Sequence, residues 1–484
     1  MNAQRSMSRA ACLAGLLGAV GCAGSVAGNG GGPDQGTGGS STGGATGTAG
    51  SNGTGGTVTG MGGATGAGGK VTGAGGAVTG AGGAVSGAGG STVVPPPALD
   101  CGPIGVPIVN SGPPKNRINY VILADGYTST TVNTTLMTHV NNAMTARFTA
   151  IIGEPYIRYK NFINICLFKT VSQTDGVSQT GASTNTTIFN CFGDDTSRLA
   201  TCDTRAAMTQ LTNNTPAGMT VDWHSIVLNN SRWWNTGSTW MLWSGGNADG
   251  PKAAMHEGGH GFHQLADEYG TCTGANCGSN TMMTGDVGTE NPEINSTGNP
   301  MTTGGKWDKW IGYTPMDATG KATATGLQGT WLGSRYVGTG QYRPSANSMM
   351  NSLFGNNVNT SWNQVSRENM IFTIWRRLTP IDSTTPAAGA VSNPGVITVN
   401  VIDPAVISVD WTVDGTTTVN GGTTFDTSKL AAGSHTISAK AYDNATSDWV
   451  RNTSGTCPTS VTNQYCSRTA WPRSQQTVMW TVTK

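Results

Sequence analysis

The chain has 484 residues, room for two domains at roughly 100–200 residues each. Glycine supplies 72 residues and charged side chains only 11%, with a net charge of +1. No basic block interleaved with aromatics occurs, which excludes a nucleic-acid surface. No apolar run reaches the ~18 residues of a membrane-spanning helix, and the glycines lack the strict period of three that collagen needs.

Residues 1–21 read as an export signal of the lipoprotein type. Arg5 and Arg9 form a short positive region, and Ala10 to Val20 an apolar stretch. Ala19-Val20-Gly21-Cys22 then resembles a bacterial lipobox, with Ala19 where leucine is usual. Cleavage before Cys22 would leave its thiol to carry a lipid anchor, so the chain is expected outside the cytoplasm, on the cell surface or secreted.

Residues 22–97 form a tether. Thirty of the 72 glycines lie there, and from Thr65 a unit TGAGGAV recurs with small variations. Each glycine costs about 1 kcal/mol in a helix relative to alanine, so the seven-residue period is no coiled coil. A flexible spacer with a root-mean-square reach of roughly 45–50 Å is the expected behaviour.

Eight cysteines remain beyond Cys12 and Cys22, an even number that suits disulfides in an exported chain. Three pairs are close in sequence: Cys191 with Cys202, Cys272 with Cys277, and Cys457 with Cys466. Cys101 and Cys166 are left for each other.

Residues 98–382 alternate strand and helix signals, as a mixed α/β domain does. Strands are expected over Ile118 to Ala124, Phe162 to Thr170, His224 to Asn229 and Ser238 to Ser244. Helices are expected over Thr130 to Ile151, with a stripe of Leu136, Val140, Met144 and Phe148, and over Trp362 to Leu378. Residues 383–484 change texture. Val396 to Val401, Ile407 to Val413, Ser434 to Ala441 and Thr477 to Val482 alternate apolar with polar between turn residues, which predicts an immunoglobulin-like β-sandwich.

The chemistry concentrates in HEGGHGFHQLADEY, His256 to Tyr269. His256 and His260 are four apart, so on a helix they share a face and can converge on one zinc ion, with Glu257 beside the open position as general base. A catalytic zinc needs a third protein ligand. Asp267 is the expected one. Glu268 is its neighbour and rival, and His263 stands ~10 Å from His256 along the helix axis, an awkward distance for joint ligation.

This segment resembles the signature of the IgA-peptidase-type zinc metallopeptidases, relatives of the metzincins. Further similar segments follow the same order: NRINYVILADGYT (116–128), EPYIRYKNFINI (154–165), NPEINSTGNPMTTGGKWDKWIGY (291–313, with Asn295, Lys306, Trp307 and Trp310) and YRPSANSMMNS (342–352). Two positions depart from the pattern: Gln264 stands where a glycine is usual, and Ser348 where cysteine is. The resemblance implies a metzincin-like fold and a methionine turn that sets Met349 or Met350 under the zinc. It also implies an edge strand that takes the substrate as an added antiparallel strand. Ser238 to Ser244 is placed for that role, with Trp240 and Trp243 either lining pockets or covering the sheet. Tyr336, Tyr342 and Arg343 lie in the region of an oxyanion stabiliser, without a means of choosing among them.

The expected function is that of an exported zinc endopeptidase acting on polypeptide substrates. A surface-tethered binding or adhesion protein with an inactive peptidase-like domain, and a zinc amidase acting on a non-protein substrate, are the alternatives.

Overall fold

Strand β2 (Ile118–Asp125) is the spine of the molecule, and all eight of its residues are buried. An apolar run without alternation marks a strand covered on both faces, and β2 lies between two parallel neighbours. The computed structural model describes residues 98–149, 153–271, 288–300, 303–317, 319–351, 361–418, 421–461 and 465–484. The expected signal and tether, Cys22, and the expected Cys272–Cys277 pair lie outside these residues.

In chain order, β1 (Gly105–Val109) precedes β2, and helix α1 (Thr135–Phe148) follows it. Then come β3 (Ile163–Phe168), three two-residue strands β4 (Ser178–Gln179), β5 (Phe192–Gly193) and β6 (Ala200–Thr201), and helix α2 (Thr204–Asn214). Strands β7 (Trp223–Leu228), β8 (Thr236–Gly237) and β9 (Met241–Ser244) lead into helix α3 (Gly250–Gly261). The main sheet has the order β1-β3-β2-β7-β9-β8. β3, β2, β7 and β9 are parallel, with β1 and β8 antiparallel at the two edges.

The expected strands and α1 are present with shifted ends: α1 and β3 are shorter than expected, β2 runs on to Asp125 and β7 starts at Trp223. Leu136, Val140 and Met144 are on the buried face of α1, as their spacing predicts. Helix α2 escaped the sequence reading, although Asp203 caps it by accepting from the Arg205 and Ala206 amides at 3.0 Å each. The Ser238 to Ser244 expectation needs correction. Only Met241–Ser244 is strand, and it is not the edge, because β8 pairs outside it. Trp240 and Trp243 are buried in the sheet and cover it.

Past α3 the chain forms β10 (Gly270–Thr271), β11 (Trp331–Ser334) and β12 (Tyr336–Arg343), a small sheet of order β10-β12-β11. Helix α4 (Gln364–Ile374) then starts at Asn363, whose side chain accepts from the Ser366 amide. That cap is why the helix begins later than its apolar pattern does.

The C-terminal residues make two further sheets. β13 (Ile381–Thr385), β15 (Val396–Val401) and β18 (Thr424–Asp426) form one, in the order β13-β15-β18. β14 (Gly389–Ser392), β16 (Ile407–Val413), β17 (Thr416–Thr418), β19 (Ser434–Asp443) and β20 (Gln475–Thr483) form the other, in the order β14-β20-β19-β16-β17. In β16 and β19 alternate residues are buried, as period-two patterning requires. The boundary expected at 382/383 falls inside β13. One apolar cluster runs from Tyr120 and Trp223 through Trp310 and Trp375 to Trp411 and Trp480, so both parts share a core. Disulfides join Cys101 to Cys166, Cys191 to Cys202 and Cys457 to Cys466, three of the four expected pairs. Among the described residues no helix is long and apolar enough to cross a membrane.

Candidate active site and metal centre

Helix α3 carries HEGGH through its last turns, with Pro251 in its first turn. Three glycines would weaken such a helix in isolation. Here the missing side chains make room. A Cβ on Gly258 would sit 2.7 Å from the Trp223 ring, and one on Gly259 would sit 2.6 Å from Met350 Sδ. One on Gly261 would meet Met241 and the Ser238 carbonyl at 2.8 Å. The helix is pressed against the sheet on one side and the methionine segment on the other.

The chain turns sharply after the helix. Gln264 has φ +55°, a left-handed conformation that glycine adopts at no steric cost. This explains why glycine is usual there and how glutamine serves instead: its side-chain amide donates to the carbonyls of His260 and Gly261, satisfying the helix end. The turn brings Asp267 back to the histidines. His256 Nε2 and His260 Nε2 are 3.1 Å apart, and Asp267 Oδ1 lies 3.1 and 3.2 Å from them.

Ring orientation is set by main-chain acceptors. His256 Nδ1 donates to the Met349 carbonyl at 2.9 Å, and His260 Nδ1 to the Leu265 carbonyl at 2.7 Å. With their protons on Nδ1, both imidazoles present Nε2 lone pairs to the Asp267 oxygen. Three acceptors facing one another at this distance repel unless a cation sits among them. Tetrahedral ligand bonds of about 2.0–2.1 Å put ligand atoms roughly 3.3–3.4 Å apart, close to the triangle observed. Asp267 Oδ1 is buried and accepts no hydrogen bond, whereas Oδ2 accepts from the Tyr336 hydroxyl. The residues present therefore fit a metal ion.

The same cluster attracts positive charge, a proton on His260 where no metal is bound. Burial disfavours a charged His260, yet the Asp267 and Glu257 carboxylates outweigh it and push the imidazole up to about 9. Burial would raise the Asp267 carboxyl, but His260 and His256 together hold it well below the usual carboxylate range. Glu257 is raised, because burial outweighs the pull of the two histidines. Its Oε2 lies where a Cβ on Gly237 would come within 2.3 Å, so the glycine of edge strand β8 makes space for this carboxylate.

The rivals for the third position have other partners. Glu268 is fully buried and accepts from Asn295 at 2.9 Å, Asn363 at 2.8 Å, Ser348 at 2.5 Å and Ser366 at 3.2 Å. Its own amide donates to the Met350 carbonyl, so it ties the methionine segment to the end of the metal turn. Ser348, standing where cysteine is usual, thus serves as a hydrogen-bond donor. His263 is fully buried away from the triangle, paired with the Tyr156 hydroxyl at 2.8 Å. Burial, with Arg376 and Arg147, drives its pKa well below normal.

Met350 packs under α3 at Gly259, while Met349 contributes its carbonyl. Of the three oxyanion candidates, Arg343 is spent on the carbonyls of Leu332, Gly333 and Ser345. The Tyr342 main chain pairs with Thr297. Tyr336 alone reaches the site. Its φ is +69° and that of Arg335 +47°, backbone conformations uncommon outside glycine that aim the phenol at Asp267. Tyr336 on Asp267, Gly237 beside Glu257 and the carbonyls that hold the imidazoles left no local signal in the sequence.

A cleft of about 410 Å³ opens at the triangle, lined by His260, Gly261, Gln264 and Leu265 on the helix side and by Gly237, Ser238 and Thr239 on the sheet side. No curated protein matches the chain. The family model of IgA peptidase M64 matches residues 106–319, from β1 past the metal turn. Over those residues the chain is similar to the IgA peptidase M64 family, a family of peptidases.

Proposed function

We propose that the protein is an exported zinc-dependent endopeptidase, with His256, His260 and Asp267 as the metal ligands and Glu257 as the general base. The observation that carries this reading is the buried triangle of three lone-pair donors, each with its other polar atom already engaged, beside a carboxylate raised by burial. Zinc bound there would supply Lewis acidity, lowering the pKa of water towards ~7 and polarising a substrate carbonyl. Glu257 accepts the proton of the attacking water and delivers it to the departing amine. Tyr336 holds Asp267 by its second oxygen, and the two carbonyls hold the imidazole tautomers. The two-residue edge β8, next to Glu257, is the place where an extended substrate backbone could add to the sheet.

A metzincin-like core and an immunoglobulin-like sandwich are the architectures that these sheets suit. Export rests on the sequence of residues 1–21, and surface attachment on Cys22 with the 22–97 spacer. A complete donor set with Glu257 retained weighs against an inactive adhesion protein.

The test is metal analysis and cleavage of an unfolded protein by the purified chain and its Glu257→Ala variant. About one zinc per chain is expected, with chelator-sensitive cleavage that the variant loses while keeping its metal. A folded wild-type protein that binds no metal and cleaves nothing would overturn the reading.

A further inference from the structure

The cleft beside the triangle has a wall from the far end of the chain. Tyr465 lines it together with His260, Gln264 and Leu265, although it lies about two hundred residues away in sequence. Its position is held by the residues that follow it. Next to it, Cys466 is buried and bonded to Cys457. Two residues on, the Ser467 amide donates to Asn369 Oδ1 on α4 at 3.2 Å, and its hydroxyl pairs with Thr373 at 3.0 Å. Asn369 in turn donates to the His263 carbonyl at 2.9 Å, so one side chain joins the end of the metal helix to the segment that carries Tyr465. Arg468 adds a bond to the Lys306 carbonyl at 2.5 Å, and Trp471 packs edge-on against Phe372.

From this we propose that Tyr465 is a specificity-determining residue, forming the wall of a subsite for an apolar or aromatic substrate side chain next to the scissile bond. The inference rests on the peptidase reading above. The chemistry of the wall selects the side chain. Tyr465 is half-buried against the apolar core and lines the cleft together with the buried Leu265. Gly237 and Gly261 line the same cleft without side chains of their own. The acid at the rim, Glu293, has its charge matched by Arg335 and does not call for a basic side chain. The C-terminal part thereby becomes part of the substrate site.

The experiment measures kcat/KM of the full chain on peptides that differ only in one residue flanking the cleaved bond. Tyr465→Ala is expected to lower kcat/KM about tenfold for phenylalanine or leucine there, and less than about twofold for glycine or alanine. Tyr465→Phe, which keeps the ring, should retain the wild-type preference. Equal losses on all peptides from a variant with an unchanged melting temperature would overturn the inference, as would an unchanged preference. Should Tyr465→Ala fail to fold, a Tyr465→Leu profile that matches the wild type in its ranking and its ratios overturns it equally. A wild-type chain that cleaves none of them would remove the peptidase reading itself, a different result from cleavage without the Tyr465 effect.

Discussion

Asp267 and Glu268 are adjacent carboxylates with opposite surroundings. Asp267 faces two imidazoles and keeps one oxygen free of hydrogen bonds, whereas the Glu268 carboxylate accepts from Asn295, Ser348, Asn363 and Ser366. Replacing each should therefore fail differently. Asp267→Ala is expected to lose the metal while the fold survives, because Tyr336 can turn to water. Glu268→Gln is expected to keep about one metal per chain but lose about 2–4 kcal/mol of stability, since its amide would face buried donors left without acceptors. Metal content and urea midpoints read the two effects. Metal loss from Glu268→Gln with stability unchanged would exchange their roles.

At the scale of elements, α3 is stabilised from outside itself. Alanine at Gly258 would gain about 1 kcal/mol of helix propensity, yet its Cβ would enter the rigid Trp223 ring, and overpacking of this kind costs about 1–3 kcal/mol. Gly258→Ala is thus expected to destabilise the protein and weaken metal retention, although an isolated α3 peptide bearing it would be more helical. A raised melting temperature for the whole protein would show that α3 is looser than its contacts indicate. Much of this was legible beforehand: strand β2 from its unbroken apolar run, α1 from its stripe, and β16 and β19 from alternation. The edge strand was not, because β8 has two residues and is defined only by its pairing with β9. Two-residue strands leave no periodicity to read.

Across the whole molecule, buried acids join the α/β part to the C-terminal sheets. Glu368 on α4 accepts from the Arg451 and Asn452 amides at 2.7 and 2.8 Å, and from Trp310 at 3.1 Å. Asp443 at the end of β19 accepts from Arg158 at 2.9 Å, Tyr159 at 2.6 Å and Trp375 at 3.0 Å. With a shared apolar core, residues 98–484 should unfold in one transition. Glu368→Ala should lower that stability by about 3 kcal/mol or more, because at least three buried donors lose their acceptor. Far-UV and near-UV circular dichroism in urea would check this, and two separated transitions in the wild type would refute it.

The sequence by itself determined what is local. Two histidines four apart on a helix share a face whatever surrounds them, and alternation or its absence marks strands by how many faces are covered. It also pointed to Asp267 through a turn only seven residues long. Tertiary structure alone decided which oxygen completes the triangle, which carbonyls orient the rings, and that Tyr336 and Tyr465 stand at the site. The Tyr336–Asp267 and His256–Met349 contacts join residues 69 and 93 positions apart, and a chain fold selects them through packing that no short window of sequence contains.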